Sequence, residues 1–302
     1  MEQSQTEATT LQSATAVVHL EYDINNLPPK PGSGWTRFVC ISDTHSHTFP
    51  VPEGDVLLHS GDLTHTGKLS QMKVTTDWIR ELPHPHKIII AGNHDLTLDQ
   101  YNDWYDDNYT AWHRFREDAE AVRELLTGEA AKQAGIVYLE DQEYKFRTKE
   151  DGREWTVYGS PWSPYFGGWA FNYERGEHAE KFLALFPKVD ILLTHGPPHG
   201  IFDSTNDGEL AGCEALAAAL PKLRPRLHLF GHIHEGHGAS IREWPARAEP
   251  EHDHNVDSTL DEQTVFVNAA NWPMGPKARL SSGQRVEFGK GPFSPVIVDL
   301  KD

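Results

Sequence analysis

Short apolar runs recur along the chain, and each run is bounded by glycine, proline, aspartate or serine. Runs of about four to eight β-branched or leucine-rich residues between such turn residues are typical of buried β-strands. The runs that predict strands are RFVCIS, DVLLHS, KIIIAG, TVYGS, DILLTHG, LHLFGH, TVFVNAA and SPVIVDL. The hydrophobic pattern therefore predicts a protein built on several buried strands.

Helical segments separate several of these strands. The segment DAEAVRELLTGEAAKQAG, residues 118–135, predicts a helix that ends at Gly135, because glycine is a common C-terminal cap. The segment GCEALAAALPKL, residues 212–223, predicts another helix. Strands that alternate with helices indicate an α/β fold, and 302 residues are enough for one such domain.

Two segments depart from the pattern. Residues 1–34 are polar and then rich in turn residues, so we predict a flexible N-terminal tail in which AVVHLEYD can add an edge strand. Residues 242–263 are acidic and contain proline, and we predict a surface insertion there. Residues 35–302 are predicted to form one domain that carries this insertion.

Composition and charge argue against several classes of protein. The formal net charge of −18 disfavours extended binding to nucleic acid, which needs clustered lysine and arginine. Hydrophobic residues make up 38% of the chain, and no apolar run approaches the length of a membrane span, so no membrane partner is expected. The N-terminus lacks the features of a secretory signal, and two cysteines are too few for a disulfide framework. A cytoplasmic location is the expectation.

Metal-ligating side chains follow the ends of five predicted strands. In chain order they are Asp43 and His45, Asp62, Asn93 with His94 and Asp95, His195, and His232 with His234. Ligands of α/β proteins bind beyond the carboxyl ends of the strands, so we expect these side chains to converge. Carboxylate, amide and imidazole ligands together suit borderline divalent metals such as manganese, iron, cobalt, nickel and zinc.

The ordered series Asp-x-His, Gly-Asp, Gly-Asn-His-Asp, Thr-His-Gly and Gly-His-x-His resembles the calcineurin-like metallophosphoesterase family from about Thr36 to Asp299. The resemblance implies a four-layer α/β/β/α sandwich, in which two facing mixed sheets are flanked by helices. It also implies two divalent metal ions at one edge of the sandwich. Manganese is the expected metal, with iron, zinc, cobalt, nickel and magnesium as alternatives.

The resemblance assigns the seven ligands to two metal ions that share one carboxylate. The assignment is Asp43, His45 and His234 for one ion, Asn93, His195 and His232 for the other, and Asp62 as the bridge. The connecting segments LPHPHKIIIAGNHDL and YGSPWSPYFGGWAFN resemble the metallophosphoesterase domain-containing proteins of animals and fungi. Some animal members carry glycine at the position of His232, so the histidine of this chain favours a working two-metal enzyme.

Residues for catalysis and substrate binding also follow from the resemblance. His94, with its neighbour Asp95, matches the residue that contacts the substrate and helps protonate the leaving group. The alternative is a histidine that is held by Asp95 and only orients Asn93. Asn93, His94 and Trp162 are the expected substrate-binding residues, although the aromatic segment around Trp162 can equally form a small satellite core.

The implied activity is hydrolysis of a small phosphoester by attack of a metal-bound hydroxide. Protein phosphatases of this superfamily carry arginines that hold a phosphomonoester dianion, but the corresponding stretches here, GDLTHTG and AGNHD, contain none. We therefore favour a phosphodiester substrate, with a cyclic nucleotide as the expectation from the resemblance. The alternatives are a phosphomonoesterase of the same fold and a metal-binding scaffold protein with little turnover.

Overall fold

The computed structural model describes residues 10–245, 263–270 and 295–302. Its first sheet has seven strands, in the spatial order β1 (Thr10–Gln12), β2 (Ala16–His19), β15 (Val296–Lys301), β3 (Trp35–Ile41), β4 (Val56–Ser60), β5 (His86–Ile90) and β6 (Ile136–Tyr138). Strands β3 to β6 are parallel to one another, whereas β15 runs antiparallel to both β3 and β2. The first sheet is therefore mixed.

The second sheet has six strands, in the spatial order β13 (Gly238–Glu243), β14 (Gln263–Asn268), β12 (Leu227–Phe230), β11 (Ile191–Thr194), β8 (Glu154–Ser160) and β7 (Gln142–Arg147). The four inner strands are parallel, and the two edge strands, β13 and β7, are antiparallel to their neighbours. A separate short pair, β9 (Ser163–Pro164) with β10 (Asn172–Tyr173), lies between β8 and β11 in the sequence.

Alternating side chains of the strands form separate layers of the core. In β3, Phe38 and Cys40 pack between the two sheets, while Val39 and Ile41 point to the opposite face. Helices α1 (Leu69–Glu81), α2 (Trp104–Asn108), α3 (Ala119–Thr127) and α4 (Glu129–Gln133) lie in the chain between β4 and β6. Residues of α1 to α4 cluster with that second face of the first sheet.

Two further helices, α5 (Glu177–Leu183) and α6 (Glu214–Leu223), pack on the outer face of the second sheet. Helices, sheet, sheet and helices follow one another, so the predicted α/β/β/α sandwich of two facing mixed sheets is confirmed. Among the residues that the structure describes, no helix combines the length and the apolar character needed to cross a bilayer.

The helix predicted over residues 118–135 is two helices in the structure. Asp118 caps α3 by accepting a hydrogen bond from the backbone N–H of Ala121 at 3.0 Å. Gly128 then adopts an extended conformation (φ −72°, ψ 175°), which interrupts the helix before α4 begins. Gly135 follows α4 in the left-handed region (φ 76°), as expected of a glycine at a helix C-terminus.

The structure differs from the predictions of a flexible N-terminal tail and of a surface insertion at residues 242–263. The predicted tail, residues 1–34, includes strand β2, whose four residues are all buried and which pairs with both β1 and β15. The edge strand is therefore β1, and residues 1–9 lie outside the described residues. The predicted insertion, residues 242–263, begins inside β13 and ends inside β14, while residues 246–262 lie outside the described part of the chain.

Candidate metal centre

The predicted ligands lie at the carboxyl ends of three strands of the first sheet and two strands of the second. At these ends a backbone N–H of the second sheet reaches a carboxylate of the first. The N–H of His232, beyond β12, donates to both carboxylate oxygens of Asp43, beyond β3, at 3.0 and 3.2 Å. Within the second sheet, the N–H of Gly231, beyond β12, donates to the carbonyl of His195, beyond β11, at 3.0 Å. The structure thus brings the ligands of both sheets into one cluster.

Four of these ligands adopt left-handed backbone conformations. The φ angles are 53° for Asp43, 46° for His45, 54° for Asp62 and 66° for His232. Such conformations are uncommon for residues other than glycine, and they concentrate at functional sites where the surrounding structure holds them.

Neighbouring glycines allow the ligand loops to approach closely. A β-carbon at Gly231 would collide with the carboxylate of Asp43 and the hydroxyl of Ser42. One at Gly92 would collide with Asp62 and with the ring of His195. Because the ligands occupy the space beside these two backbone positions, only glycine fits there.

The first group of donors consists of Asp43, His45 and His234, whose ligand atoms all lie within 4.8 Å of one another. Nε2 of His234 is 3.3 Å from Oδ1 of Asp43 and 3.5 Å from Nε2 of His45. The N–H at Nδ1 of His45 donates to the carbonyl of Thr64 at 3.2 Å. This hydrogen bond places the proton on Nδ1 and leaves the lone pair of Nε2 for a metal.

The second group contains His195 and Asn93. The N–H at Nδ1 of His195 donates to the carbonyl of Ser60 at 3.0 Å, which again leaves a lone pair on Nε2. That lone pair faces the amide oxygen of Asn93 at 2.8 Å and Oδ1 of Asp62 at 3.4 Å. Nε2 of His195, the amide oxygen of Asn93 and Oδ1 of Asp62 are all electron-pair donors, and none of the three carries a proton that could link it to the others. A cation bound between them would satisfy all three.

Asp62 lies between the two groups. Its Oδ1 faces Nε2 of His195 at 3.4 Å, and its Oδ2 faces Nε2 of His45 at 3.7 Å. The backbone N–H of His94 donates to Oδ1 at 2.8 Å and fixes the orientation of the carboxylate. One carboxylate therefore contacts both donor groups, as a bridging ligand must. His232 joins the cluster through its ring, whose centroid lies 5.0 Å from that of His195.

The electrostatic environment differs between the two carboxylates of the cluster, Asp62 and Asp43. Burial raises the pKa of Asp62 well above its usual range, and the nearby carboxylates of Asp43 and Asp95 raise it further. Burial lowers the pKa of His232 to about 3 and holds that of His45 well below the usual value, with His94 and His234 adding to the latter effect. Neutral imidazoles are the form that binds metals. Burial acts to raise the pKa of Asp43, but its hydrogen bond to His234 and its charge interactions with His234, His195 and His45 hold that pKa well below the usual range.

His94 is near the cluster, but its partner is not the predicted one. The N–H at Nδ1 of His94 donates to the carbonyl of His65 at 2.8 Å, and Nε2 lies 4.0 Å from Oδ2 of Asp62. Asp95 instead accepts hydrogen bonds from the N–H groups of Leu63, Thr64 and Gly92 and from the hydroxyl of Thr64, at 2.7 to 3.0 Å.

The prediction of Asp95 as a catalytic partner of His94 is therefore corrected. The side chain of Asp95 is fully buried, and its two oxygens hold the loop after β4 against the loop after β5. A carboxylate that is committed to several backbone donors stabilises a loop conformation and has no free oxygen directed at an imidazole. Asp95 positions the ligand loops.

Trp162 is also placed differently from the expectation that it binds substrate. Its indole N–H donates to Asp141 at 2.7 Å, and its ring packs edge-on against Phe171, with 5.5 Å between ring centroids. Two other rings of this segment reach the cluster: Trp169 stacks on His94 with centroids 4.0 Å apart, and Phe166 lies edge-on to His232 with centroids 6.4 Å apart. Sequence reasoning noted this aromatic segment but could not tell which of its rings faces the histidines.

Two supporting residues were missed from the sequence. The carbonyls of Ser60 and Thr64 fix the imidazoles of His195 and His45. Their only sequence signal is that they flank the Gly-Asp motif of residues 61–62.

A comparison with known proteins agrees with this fold and this cluster. The profile of the family described as Calcineurin-like phosphoesterase matches residues 36–236, which include all seven predicted ligands. The chain belongs to this family, as the ordered motifs indicated. Members of such a family use divalent metal ions, and the Asp and His cluster is the candidate site for them.

Individual relatives are similar over most of the chain. The chain is 44% identical over 223 residues to Metallophosphoesterase domain-containing protein 1 of Homo sapiens, which covers 70% of this chain and 64% of the relative. It is 33% identical over 244 residues to UPF0046 protein C25E10.12 of Caenorhabditis elegans, which covers 78% of this chain and 74% of the relative. The chain thus spans somewhat less than two thirds of the human relative's length.

Likeness to solved structures is weaker. The protein TT1561 of Thermus thermophilus superposes with a TM-score of 0.43 at 12% sequence identity, covering 77% of this chain and 88% of that chain.

Proposed function

We propose that this protein is a metal-dependent phosphoesterase that hydrolyses a small phosphodiester. The observation that supports this most directly is the position of Asp62, whose two oxygens face His195 and His45. Asp62 and the donors around it would hold two divalent cations, with manganese as the first choice, which would neutralise charge at the phosphate and lower the pKa of a water molecule.

His94 is the proposed proton donor to the leaving group. Its Nδ1 is held by the carbonyl of His65, so Nε2 is the nitrogen left to face the substrate. Burial lowers the pKa of His94 to about 4, and a phosphate anion bound nearby would raise it again because the anion favours the imidazolium form. General-acid assistance to a poor leaving group contributes a factor of about 10² to 10⁴ in rate.

A diester is preferred over a monoester because of charge. The loops that follow β4 and β5, GDLTHTG and AGNHD, contain no arginine to hold the second negative charge of a phosphomonoester. A phosphodiester carries a single negative charge, which the metal ions alone can neutralise. A cyclic nucleotide is the first candidate substrate.

The test is turnover by the manganese-loaded protein of bis(p-nitrophenyl) phosphate, p-nitrophenyl phosphate and a panel of cyclic nucleotides. We expect faster turnover of the diesters, and a loss of about 100-fold or more in Asp62→Asn, since even indirect support of a metal is worth about 10- to 100-fold. Asp106→Asn is the matched control, because Asp106 forms an exposed ion pair with Arg116. This control should keep wild-type activity.

Other results would select the alternatives. A higher kcat/KM for the monoester would contradict the diester preference and favour a phosphomonoesterase. About two manganese ions per chain by elemental analysis, with no turnover of any ester, would favour the metal-binding scaffold.

The proposed location is the cytoplasm. Cys40 and Cys213 are both buried free thiols, which suits a reducing compartment. Fractionation of cells with an antibody against the protein tests this proposal.

A further inference from the structure

A short loop beside the metal centre carries aromatic residues that catalysis as described does not use. It comprises residues 165–169, Tyr-Phe-Gly-Gly-Trp, between β9 and β10, and we call it the aromatic loop. Its two ends contact two histidines of the centre. Trp169 stacks on His94, with centroids 4.0 Å apart, and Phe166 lies edge-on to His232, with centroids 6.4 Å apart.

The rings of this loop differ in how they are covered. Trp169 is packed between His94 and Trp112, whose ring centroid is 3.9 Å from that of Trp169. Phe166 and Tyr165 are 63% and 57% exposed, although both are large apolar rings. Exposed aromatic rings next to a site for a charged group are a common way to bind the uncharged part of a ligand.

The backbone holds the exposed rings in place. The N–H of Tyr165 donates to the carbonyl of Tyr173 at 2.9 Å, and that of Phe166 donates to the side-chain oxygen of Asn172 at 3.1 Å. Gly167 and Gly168 complete the turn with φ angles of 57° and 71°. These hydrogen bonds order the backbone that carries the rings, which lowers the entropy cost of binding a ligand there.

We infer that the aromatic loop selects phosphoesters that carry a planar aromatic group, and that Phe166 is the ring on which this group stacks. The inference rests on the proposed function in one respect, namely that the phosphate binds at the metal centre. A phosphate among His94, His195 and His232 places the group bonded to it within reach of Phe166, which already contacts His232. Both a nucleobase and a simple aryl ring fit this description.

The kinetic test uses two diesters with the same leaving group. p-Nitrophenyl phenyl phosphate and p-nitrophenyl ethyl phosphate both release p-nitrophenolate, so they differ only in the group that remains on the phosphate. We expect wild type to favour the phenyl ester by about tenfold in kcat/KM, the size of one aromatic stacking contact. Phe166→Ala and Phe166→Leu should both lose this preference, because leucine restores apolar area but no ring.

The control variant is Phe115→Ala. Phe115 is 72% exposed and contacts the guanidinium of Arg114, so it matches Phe166 in size and exposure. This variant should keep the preference of wild type for the phenyl ester. An equal kcat/KM of wild type for the two esters, or a preference that persists in Phe166→Ala, overturns the inference while leaving the phosphoesterase activity established.

A binding measurement separates the inference from the proposed function. Phenylphosphonate and methylphosphonate cannot be hydrolysed as esters, and their affinities for the manganese-loaded protein can be measured by calorimetry. We expect phenylphosphonate to bind about tenfold more tightly than methylphosphonate to wild type, and the two to bind equally to Phe166→Ala. If wild type hydrolyses neither diester, the proposed function fails, and the ratio of phosphonate affinities still decides the role of Phe166. Equal affinities in wild type overturn the inference.

Discussion

Buried carboxylates lie near both ends of strand β3, and their surroundings differ between the two ends. Near its start, Arg37 donates from Nε and Nη2 to both oxygens of Asp299 on β15, at 2.8 and 2.7 Å. Beyond its other end lie Asp43 and Asp62, and Asp62 contacts imidazoles, the backbone N–H of His94 and Asp43 itself.

The two ends differ in whether the chain itself supplies a counter-charge for the buried carboxylate. The pair of Arg37 and Asp299 is complete, because a bidentate guanidinium satisfies a carboxylate in both charge and geometry. At the other end, the pKa of Asp62 is raised chiefly by burial, which indicates that an ionised carboxylate is unfavourable there without a cation from outside. At one end of the strand the chain itself supplies the counter-charge, whereas the other end is a candidate site for a metal ion.

The largest expected effect is on stability at the completed end. Asp299→Asn leaves the buried guanidinium of Arg37 without its counter-charge, and we expect a loss of about 3–5 kcal/mol in the free energy of unfolding. Urea denaturation of the metal-free protein measures it. The double replacement Arg37→Met with Asp299→Leu removes both charges and should recover most of the loss. If Asp299→Asn is as stable as wild type, the ion pair with Arg37 contributes no measurable stability, and the contrast between the two ends of β3 fails.

The next effect concerns metal binding at the other end. His232→Gly removes one ligand and should lower manganese affinity by about 100-fold or more, judged from the cost of losing even an indirect ligand contact. The metal-free variant should be as stable as wild type, because residue 232 has a φ of 66°, which glycine adopts without strain. Calorimetric titration with manganese gives the affinity, and an unchanged value would mean that His232 is not a ligand.

A variant of His94 separates the loss of catalysis from the loss of bound metal. His94→Ala should keep both metal ions and lose about 100-fold in kcat on a cyclic nucleotide, whose alkoxide leaving group needs a proton. The loss on bis(p-nitrophenyl) phosphate should be clearly smaller, since nitrophenolate leaves without protonation. Equal losses on both substrates would assign His94 to positioning of the substrate. Loss of metal would assign it to support of Asn93.

The smallest expected effect is a dependence of stability on pH that comes from His59, a buried histidine close to the metal centre. Burial lowers the pKa of His59, on β4, to about 3, whereas the unfolded chain has a value near 6.5. A depressed pKa in the folded state means that stability is complete above pH 6.5 and falls as the pH drops, because the unfolded state binds the proton first. Between pH 6.5 and 5 the loss from this group is about 2 kcal/mol.

The corresponding measurement compares wild type with His59→Gln. Denaturation of the two metal-free proteins between pH 5 and 6.5 should give a smaller pH dependence for the variant, which has no imidazole at this position. Parallel stability curves would show that His59 does not titrate on unfolding.

Most of the candidate site could be predicted from the sequence, because each ligand directly follows an apolar strand. The carboxyl ends of parallel strands meet, so a polar residue just past such an end has a defined position once the strand is recognised. Asp43, Asp62 and His195 lie within the described cluster for this reason.

The roles of Asp95 and Trp162 could not be predicted in the same way. Both lie within segments that the sequence marks correctly, but each side chain turns to a partner in another part of the chain, Asp95 to Thr64 and Trp162 to Asp141. Which neighbour a side chain meets depends on how separate loops pack, and sequence spacing carries no record of that.

Strands show the same division between what the sequence determines and what only the tertiary structure decides. Every apolar run that predicted a strand is one, since a run of β-branched residues is stable only when it is buried. The edge strand β7, with the sequence QEYKFR, has one buried residue, Phe146, and it is a strand because its backbone pairs with β8. Its own side chains give little reason for that conformation.

By itself the sequence determined the buried strands and the metal-ligating residues at their ends. The tertiary structure decided the edge strands and the partner of each side chain, because those depend on contacts between distant segments.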